Sequence, residues 1–297
     1  MTTPLPKHRV FSLSRVGAIA SNTLLELIRL KVFYFLLLFA LVLIGSSAFM
    51  VKFSFQEQFQ VLKDVSLGAM SIFTFLLAVL STAMLLPKDV EDRTLYTILA
   101  KPVPRFEYLL GKMCGVLLLL AIATVLMSLV FWVSLWGREQ QALAETMQQM
   151  QGAPADQVAE AVKGVTDATF TPGLVPGIIV IYLKAALFVS LTLFVSTYAT
   201  SYIFTVIVVF MVYLIGHVQS IAREYWLAGE AITVTKHIFL GAVALLFPDL
   251  QVFNVVNDIA VGNAVAMDMF AKVAGLGVVY LVIYLLLAYF VFAKKEL

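Results

Sequence analysis

The chain has 297 residues, 62% hydrophobic and only 13% charged, where a soluble domain carries roughly 25% charge; this excludes a soluble domain and points to a bilayer. A net charge of +2 and a pI near 8.5, with no basic tract, exclude a nucleic-acid partner. A single cysteine, Cys114, excludes an intrachain disulfide and a thiolate metal cluster.

In chain order, Met1 to Arg9 reads as a basic tail without the pattern of a removable signal sequence. Val10 to Lys31 follows as an amphipathic helix: Leu13, Val16, Ala20, Leu24 and Leu27 recur every three or four residues, with Arg15, Asn22, Glu26 and Arg29 on other faces. Such a helix lies in the membrane interface. Crossing about 30 Å of hydrocarbon takes roughly 20 apolar residues, and six stretches meet that length: 32–51, 65–86, 113–136, 177–198, 202–221 and 273–293. Within them the only charged side chain is Lys184, in the fourth.

Basic residues set the orientation, because cytoplasmic loops retain Lys and Arg. With the N-terminus inside, the inner segments hold Lys7, Arg9, Arg15, Arg29, Lys31, Lys88, Arg93, Lys101, Arg105, Lys112, Lys294 and Lys295, against Lys52, Lys63, Arg138, Lys163, Arg223, Lys236 and Lys272 outside. Both termini are therefore expected in the cytoplasm, and Trp132 and Trp136 in the outer interfacial belt. The inner segment 87–112 is the densest charge cluster in the chain. Pro87 and Asp89 suit a helix start there. Asp89, Glu91 and Asp92 complement its dipole, Leu95, Ile98 and Leu99 give an apolar face, and Pro102 and Pro104 end it before a new helix resumes at Arg105. A compact charged helix between two spans suits docking by a soluble partner, against the alternative of an ordinary interfacial loop helix.

Two outer segments are long. Residues 137–176 read as a helical hairpin, with Leu143, Met147 and Met150 on one stripe, a break at Gly152 and Pro154, and Val158 and Val162 on a second. In 222–272 the apolar run 238–247 is too short to cross; partial insertion from outside over 237–250 is expected, while a full crossing would put Lys294 and Lys295 on the wrong side. The three-residue turn Ala199-Thr-Ser201 makes the fourth and fifth spans an antiparallel hairpin.

Catalytic patterns are missing from the sequence. There is no Gly-x-x-x-x-Gly-Lys-Ser/Thr loop for ATP, His8, His217 and His237 have no metal-ligand spacing, and the spans contain no Asp or Glu for an ion relay. The chain is therefore expected to be neither an enzyme nor dependent on a cofactor. Insertion scales charge roughly 2.5–3.5 kcal/mol for a lysine near a helix centre, a cost the surrounding apolar residues cover. Lys184 is thus either a lysine whose stem carries its ammonium to the outer headgroups or a pathway residue facing a cavity and attracting an anionic headgroup or substrate.

The run Glu91-Asp-Arg-Thr-Leu-Tyr-Thr-Ile-Leu-Ala-Lys-Pro-Val-Pro-Arg-Phe-Glu-Tyr-Leu-Leu-Gly-Lys112 resembles the cytoplasmic loop of ABC-2 type transporter permeases, where an acidic residue and Gly or Arg-Thr-Leu precede Leu-x-Lys-Pro-Val/Ile-x-Arg and Leu-x-Gly-Lys. The likeness extends more loosely to the N-terminal helix, the six spans, Phe247 to Asn254 and the basic tail, with the long 137–176 segment as a departure. It implies a single all-α membrane domain over 1–297 in the cytoplasmic membrane. It also implies a separate ATP-binding cassette ATPase as partner, and a second permease copy or a related permease. Asp89, Glu91, Asp92, Arg93, Thr94, Leu95, Tyr96, Ile98 and Leu99 would form the coupling helix seated in the ATPase, and Leu13 to Leu27 the connecting helix. Export of an unidentified substrate would follow from ATP-driven rocking of the spans. From a different class, a membrane scaffold that recruits a cytoplasmic partner without moving substrate remains the alternative.

Overall fold

The computed structural model describes residues 11–47, 55–91, 103–199, 201–227, 248–254, 259 and 267–294. Its regular elements there are α1 (Leu13–Ile28), α2 (Lys31–Ser47), α3 (Phe55–Glu91), α4 (Arg105–Gln149), α5 (Ala155–Thr169), α6 (Leu174–Tyr198), α7 (Tyr202–Leu227), a 3-10 turn at Gln251–Phe253, and α8 (Met267–Lys294). Four helical stretches are long and apolar enough to cross a membrane: Gln58–Glu91, Arg105–Gln149, Ala155–Tyr198, which ends in α6, and Met267–Lys294. A fifth is added if α1 and α2, bent by 69° to each other, make one span. These helices are consistent with a membrane protein.

At 1.5 Å per residue α3 is about 55 Å long and α4 about 67 Å, well beyond about 30 Å of hydrocarbon, so both carry their ends past any bilayer. The hairpin expected over 137–176 is present, but its first arm is the continuation of α4, and the chain reverses through Gly152 at φ 94° into α5. A non-glycine residue is disfavoured at that φ. Lys63 of α3, buried, fastens the far arm by donating to the Ala168 carbonyl at 2.8 Å and to Thr171 Oγ1 at 3.3 Å. A cation on the last carbonyls of α5 also meets the negative end of its dipole. Trp132 stacks on Phe170 at 5.5 Å and 12°, closing the same junction.

α3 and α6 lie at the centre of the bundle: 72% of the most apolar window of each of their stretches is buried, against 28% in α8. Outward faces of α2 (Phe35, Leu38, Val42), α7 (Phe204, Ile207, Met211) and α8 (Val279, Val282, Phe290) remain exposed, as suits surfaces turned to lipid. α6 and α7 are in contact, with only three residues between Tyr198 and Tyr202.

Inside a bilayer apolar side chains gain little by leaving lipid, so helices associate through close backbone approach at small residues. α1 meets α4 in this way. A Cβ at Gly111 would lie 2.7 Å from Ile19 Cβ, and one at Gly115 would lie 2.7 Å from Thr23 Cβ and 2.8 Å from the Ala20 carbonyl oxygen. This Gly-x-x-x-Gly groove rotates the helix from the expected stripe: Val16, Ala20, Thr23 and Leu27 are buried, Leu24 is half-buried, and Leu13 is 76% exposed. At the other end of the bundle, three side chains press onto glycines of three helices: Ile259 on Gly177 of α6, Leu250 on Gly216 of α7 and Phe253 on Gly277 of α8.

The helix expected to start at Pro87 does not. α3 runs through Pro87 to Glu91. Proline cannot donate to the carbonyl four residues back, yet neighbouring helices can restore the freed group in a membrane bundle. Asp89 and Glu91 therefore lie in the last described turns of α3 and not at its N-terminus. The expected restart after Pro104 is found, with α4 beginning at Arg105. Asp92, Arg93, Thr94, Leu95, Tyr96, Ile98 and Leu99, together with 237–247, lie outside the described residues.

Gly115→Ala is expected to loosen α1 from α4 and cost about 1–3 kcal/mol, the range for overpacking a close contact. Gly275→Ala, where nothing lies within 4 Å of the added carbon, should be neutral or slightly stabilising. Thermal unfolding of both variants in detergent, with limited proteolysis of α1, checks the contrast.

Candidate functional site

One end of the bundle gathers charged side chains from α1, α3 and α4, with the end of α8 packed beside them. Lys112 of α4 is 3% exposed and places its ammonium 2.7 Å from Asp89 Oδ2 on α3, itself 6% exposed, and 3.8 Å from Glu26 Oε2 on α1. Glu26 Oε1 also accepts from Lys88 Nζ at 2.6 Å. Tyr108 of α4, wholly buried, donates its hydroxyl to Asp89. Burial pushes that phenol up, with Asp89 adding to the effect, so it stays a donor. The Tyr108 ring stacks on Phe292 of α8 at 5.9 Å.

A second knot adjoins the first. Glu107 of α4, 1% exposed, accepts from Arg15 Nε at 2.6 Å and Nη2 at 2.7 Å, a two-pronged pairing, and from the Ser12 backbone N–H at 2.9 Å. Residues 105–112 precede the apolar part of α4, and there the hydrogen-bonded Arg15 holds the Glu107 carboxylate below the ordinary glutamate range against the opposing effect of burial. A carboxylate whose pKa falls on folding adds stability above its unfolded value and loses it as pH drops through the folded one. Arg105 completes the junction by donating to the carbonyls of Phe292 at 2.9 Å and Ala293 at 2.6 Å, near the end of α8.

These pairs clamp both feet of the connection between α3 and α4. The last described turn of α3 is held through Lys88 and Asp89, and the first turns of α4 through Arg105, Glu107, Tyr108 and Lys112. Of the coupling residues expected from sequence, Asp89 is thus buried in the clamp, while Glu91 is exposed beyond it. Beside the clamp, at the bend from α1 to α2, a cleft of about 390 Å³ is lined by Asn22, Leu25, Glu26, Arg29, Leu30 and Lys88. Sequence reasoning missed the partners Arg15, Glu26, Glu107, Tyr108 and Lys112. Pairs such as Glu26 with Lys88 lie 62 positions apart, and no periodicity reports them; the Gly111 and Gly115 spacing was there to be read.

Lys184 does not join this cluster. It sits mid-way along α6, 7% exposed, with its ammonium 5.7 Å from the centre of the Tyr213 ring on α7. His217 packs on Tyr213 with ring centres 4.3 Å apart at a tilt of 49°, and its Nδ1 lies 3.0 Å from the Tyr213 carbonyl oxygen. Cys114 is partly buried within α4 as a free thiol. Among the described residues no group of three or more His, Cys, Asp or Glu could hold a metal ion.

No protein-family model matches the chain, and no curated protein matches it.

Removing one member of a buried pair leaves an uncompensated charge, which costs about 3–5 kcal/mol, whereas replacing both with apolar residues is often neutral. Asp89→Leu and Lys112→Met are each expected to lower thermal stability strongly, and the double variant to lose far less than the two together. Additive losses in a detergent unfolding cycle would show that the pair is not coupled.

Proposed function

We propose that this chain is the membrane subunit of an ATP-driven transporter of the ABC-2 permease type, moved by a separate ATP-binding cassette ATPase. The observation that carries the proposal is the clamp at both feet of residues 92–102. A soluble partner pressing on that connection meets ion pairs that lead directly into α1, α3, α4 and α8, so a push becomes a displacement of helices instead of a local flexing of a loop. A buried charge pair suits this role because separating it is costly.

The membrane reading supplies the rest. The clamp faces the cytoplasm in agreement with the excess of Lys and Arg on that side, α1 runs along the inner interface at its 69° bend to α2, and six crossings bring both termini inside. α2 and α7 are the first and fifth of those crossings. The complex contains two permease chains, identical or related, with an ATPase for each, in the cytoplasmic membrane. The likeness of Glu91 to Lys112 to the coupling loop of such permeases supports the assignment, as does the lack of a phosphate-binding loop in the sequence. Export of the substrate follows from alternate opening of the helices.

Glu91→Lys and Leu95→Asp are expected to abolish co-purification of the ATPase that accompanies the native chain from membranes, while leaving insertion intact. Co-purification at native levels with both variants rejects the coupling assignment. A partner that still binds but shows ATP hydrolysis unaffected by the chain points to a scaffold.

A further inference from the structure

The second charged feature is Lys184, and its surroundings differ in kind from those of the clamp. α6 is about 37 Å long, and Lys184, eleventh of its 25 residues, lies about 15 Å from the nearer end. Within the span expected over 177–198 it lies seven residues, about 10 Å, from the outer end, and a stretched lysine stem covers only about 6 Å of that. Nor does the side chain lie along a lipid-facing surface, since it is buried between α6 and α7. Its neighbours form an aromatic wall: Phe75 of α3 packs on Tyr213 at 4.3 Å and on Phe188 at 4.7 Å, and Phe188 lies 5.7 Å from Tyr213. No carboxylate among the described residues pairs with Lys184, and its one partner is the face of the Tyr213 ring.

A cation over one ring is incompletely compensated. The ring quadrupole offers about 0.5–2 kcal/mol, and an ammonium has three N–H donors that need acceptors. An oxyanion provides both opposite charge and acceptors. A group carrying one negative charge neutralises the site, which the buried rings of Phe75 and Phe188 line on one side. Phe210 of α7, stacked on Tyr213 at 6.2 Å, is exposed and marks the side from which the hydrocarbon reaches this ring. We propose that Lys184, with Tyr213 and Phe188, forms an intramembrane site for the anionic headgroup of a single amphiphile, either a lipid phosphate or a long-chain carboxylate. As the substrate site of a transporter it rests on the reading above; as a binding site it stands by itself.

The experiment uses the full chain in phosphatidylcholine nanodiscs, titrated with tail-matched fluorescent probes: oleate, phosphatidylglycerol and the uncharged oleyl alcohol. The native chain is expected to hold an anionic probe at least about tenfold more tightly than the alcohol, as one charge-assisted bond implies. Lys184→Met and Lys184→Gln should lose that preference, and Lys184→Arg should keep most of it. Preference for oleate identifies a carboxylate ligand and preference for phosphatidylglycerol a lipid phosphate. Native chain that binds the alcohol as well as the anions, or neutral variants that bind the anions as well as native chain, overturns the proposal. ATPase co-purification from the same preparations reports separately on the coupling reading: its loss with selective binding intact removes the transporter assignment and leaves the site.

Discussion

Lys112 and Asp89 are opposite charges held 2.7 Å apart at the root of a connection, almost out of contact with water, and the arrangement around them follows from that condition. Removing either ion from water costs several kcal/mol, recovered only when the remaining lone pairs and protons are also met. Tyr108 supplies a proton to Asp89 and an aromatic face to Lys112, whose ammonium lies 5.8 Å from the ring centre. Glu26 stands within reach of both Lys112 and Lys88. Because the members come from α1, α3 and α4, satisfying one buried pair fixes the relative position of three helices.

The same demand explains why α1 lies where it does. Its charged residues can reach Glu107 and Lys88 only if its backbone comes very near that of α4, and Gly111 and Gly115 make the room. Polar pairing and small-residue packing thus support each other: the glycines bring the helices together, and Arg15 with Glu107 sets their register along the groove. Hydrophobic burial alone would leave α1 free to slide, since an apolar face is equally content against lipid.

Long apolar runs were legible because a bilayer leaves little choice of structure to a stretch without charges. The stretches around 65–86, 113–136, 177–198 and 273–293 therefore correspond to helices that can cross, and the prolines before Arg105 mark a true helix start. Pro87 misled the reading because its local preference, for the first turn of a helix, was overridden by packing in the bundle, where α3 runs on through it. The dipole role assigned to Asp89 failed for the same reason, and its partner Lys112 was hidden by sequence distance. Lys184 was conspicuous as the charge within a span, but Phe75 and Tyr213, which define its surroundings, are separated from it along the chain by α4 and by the turn into α7.

Leu250, Phe253 and Ile259 lie in gaps left by missing side chains on α7, α8 and α6 respectively. Three such pegs in three separate helices act as a fastener across that mouth of the bundle. Spreading any two of those helices would empty a peg-hole and open a void that lipid tails or water must fill. Any parting of those helices at this mouth therefore has to empty the holes that Leu250, Phe253 and Ile259 fill.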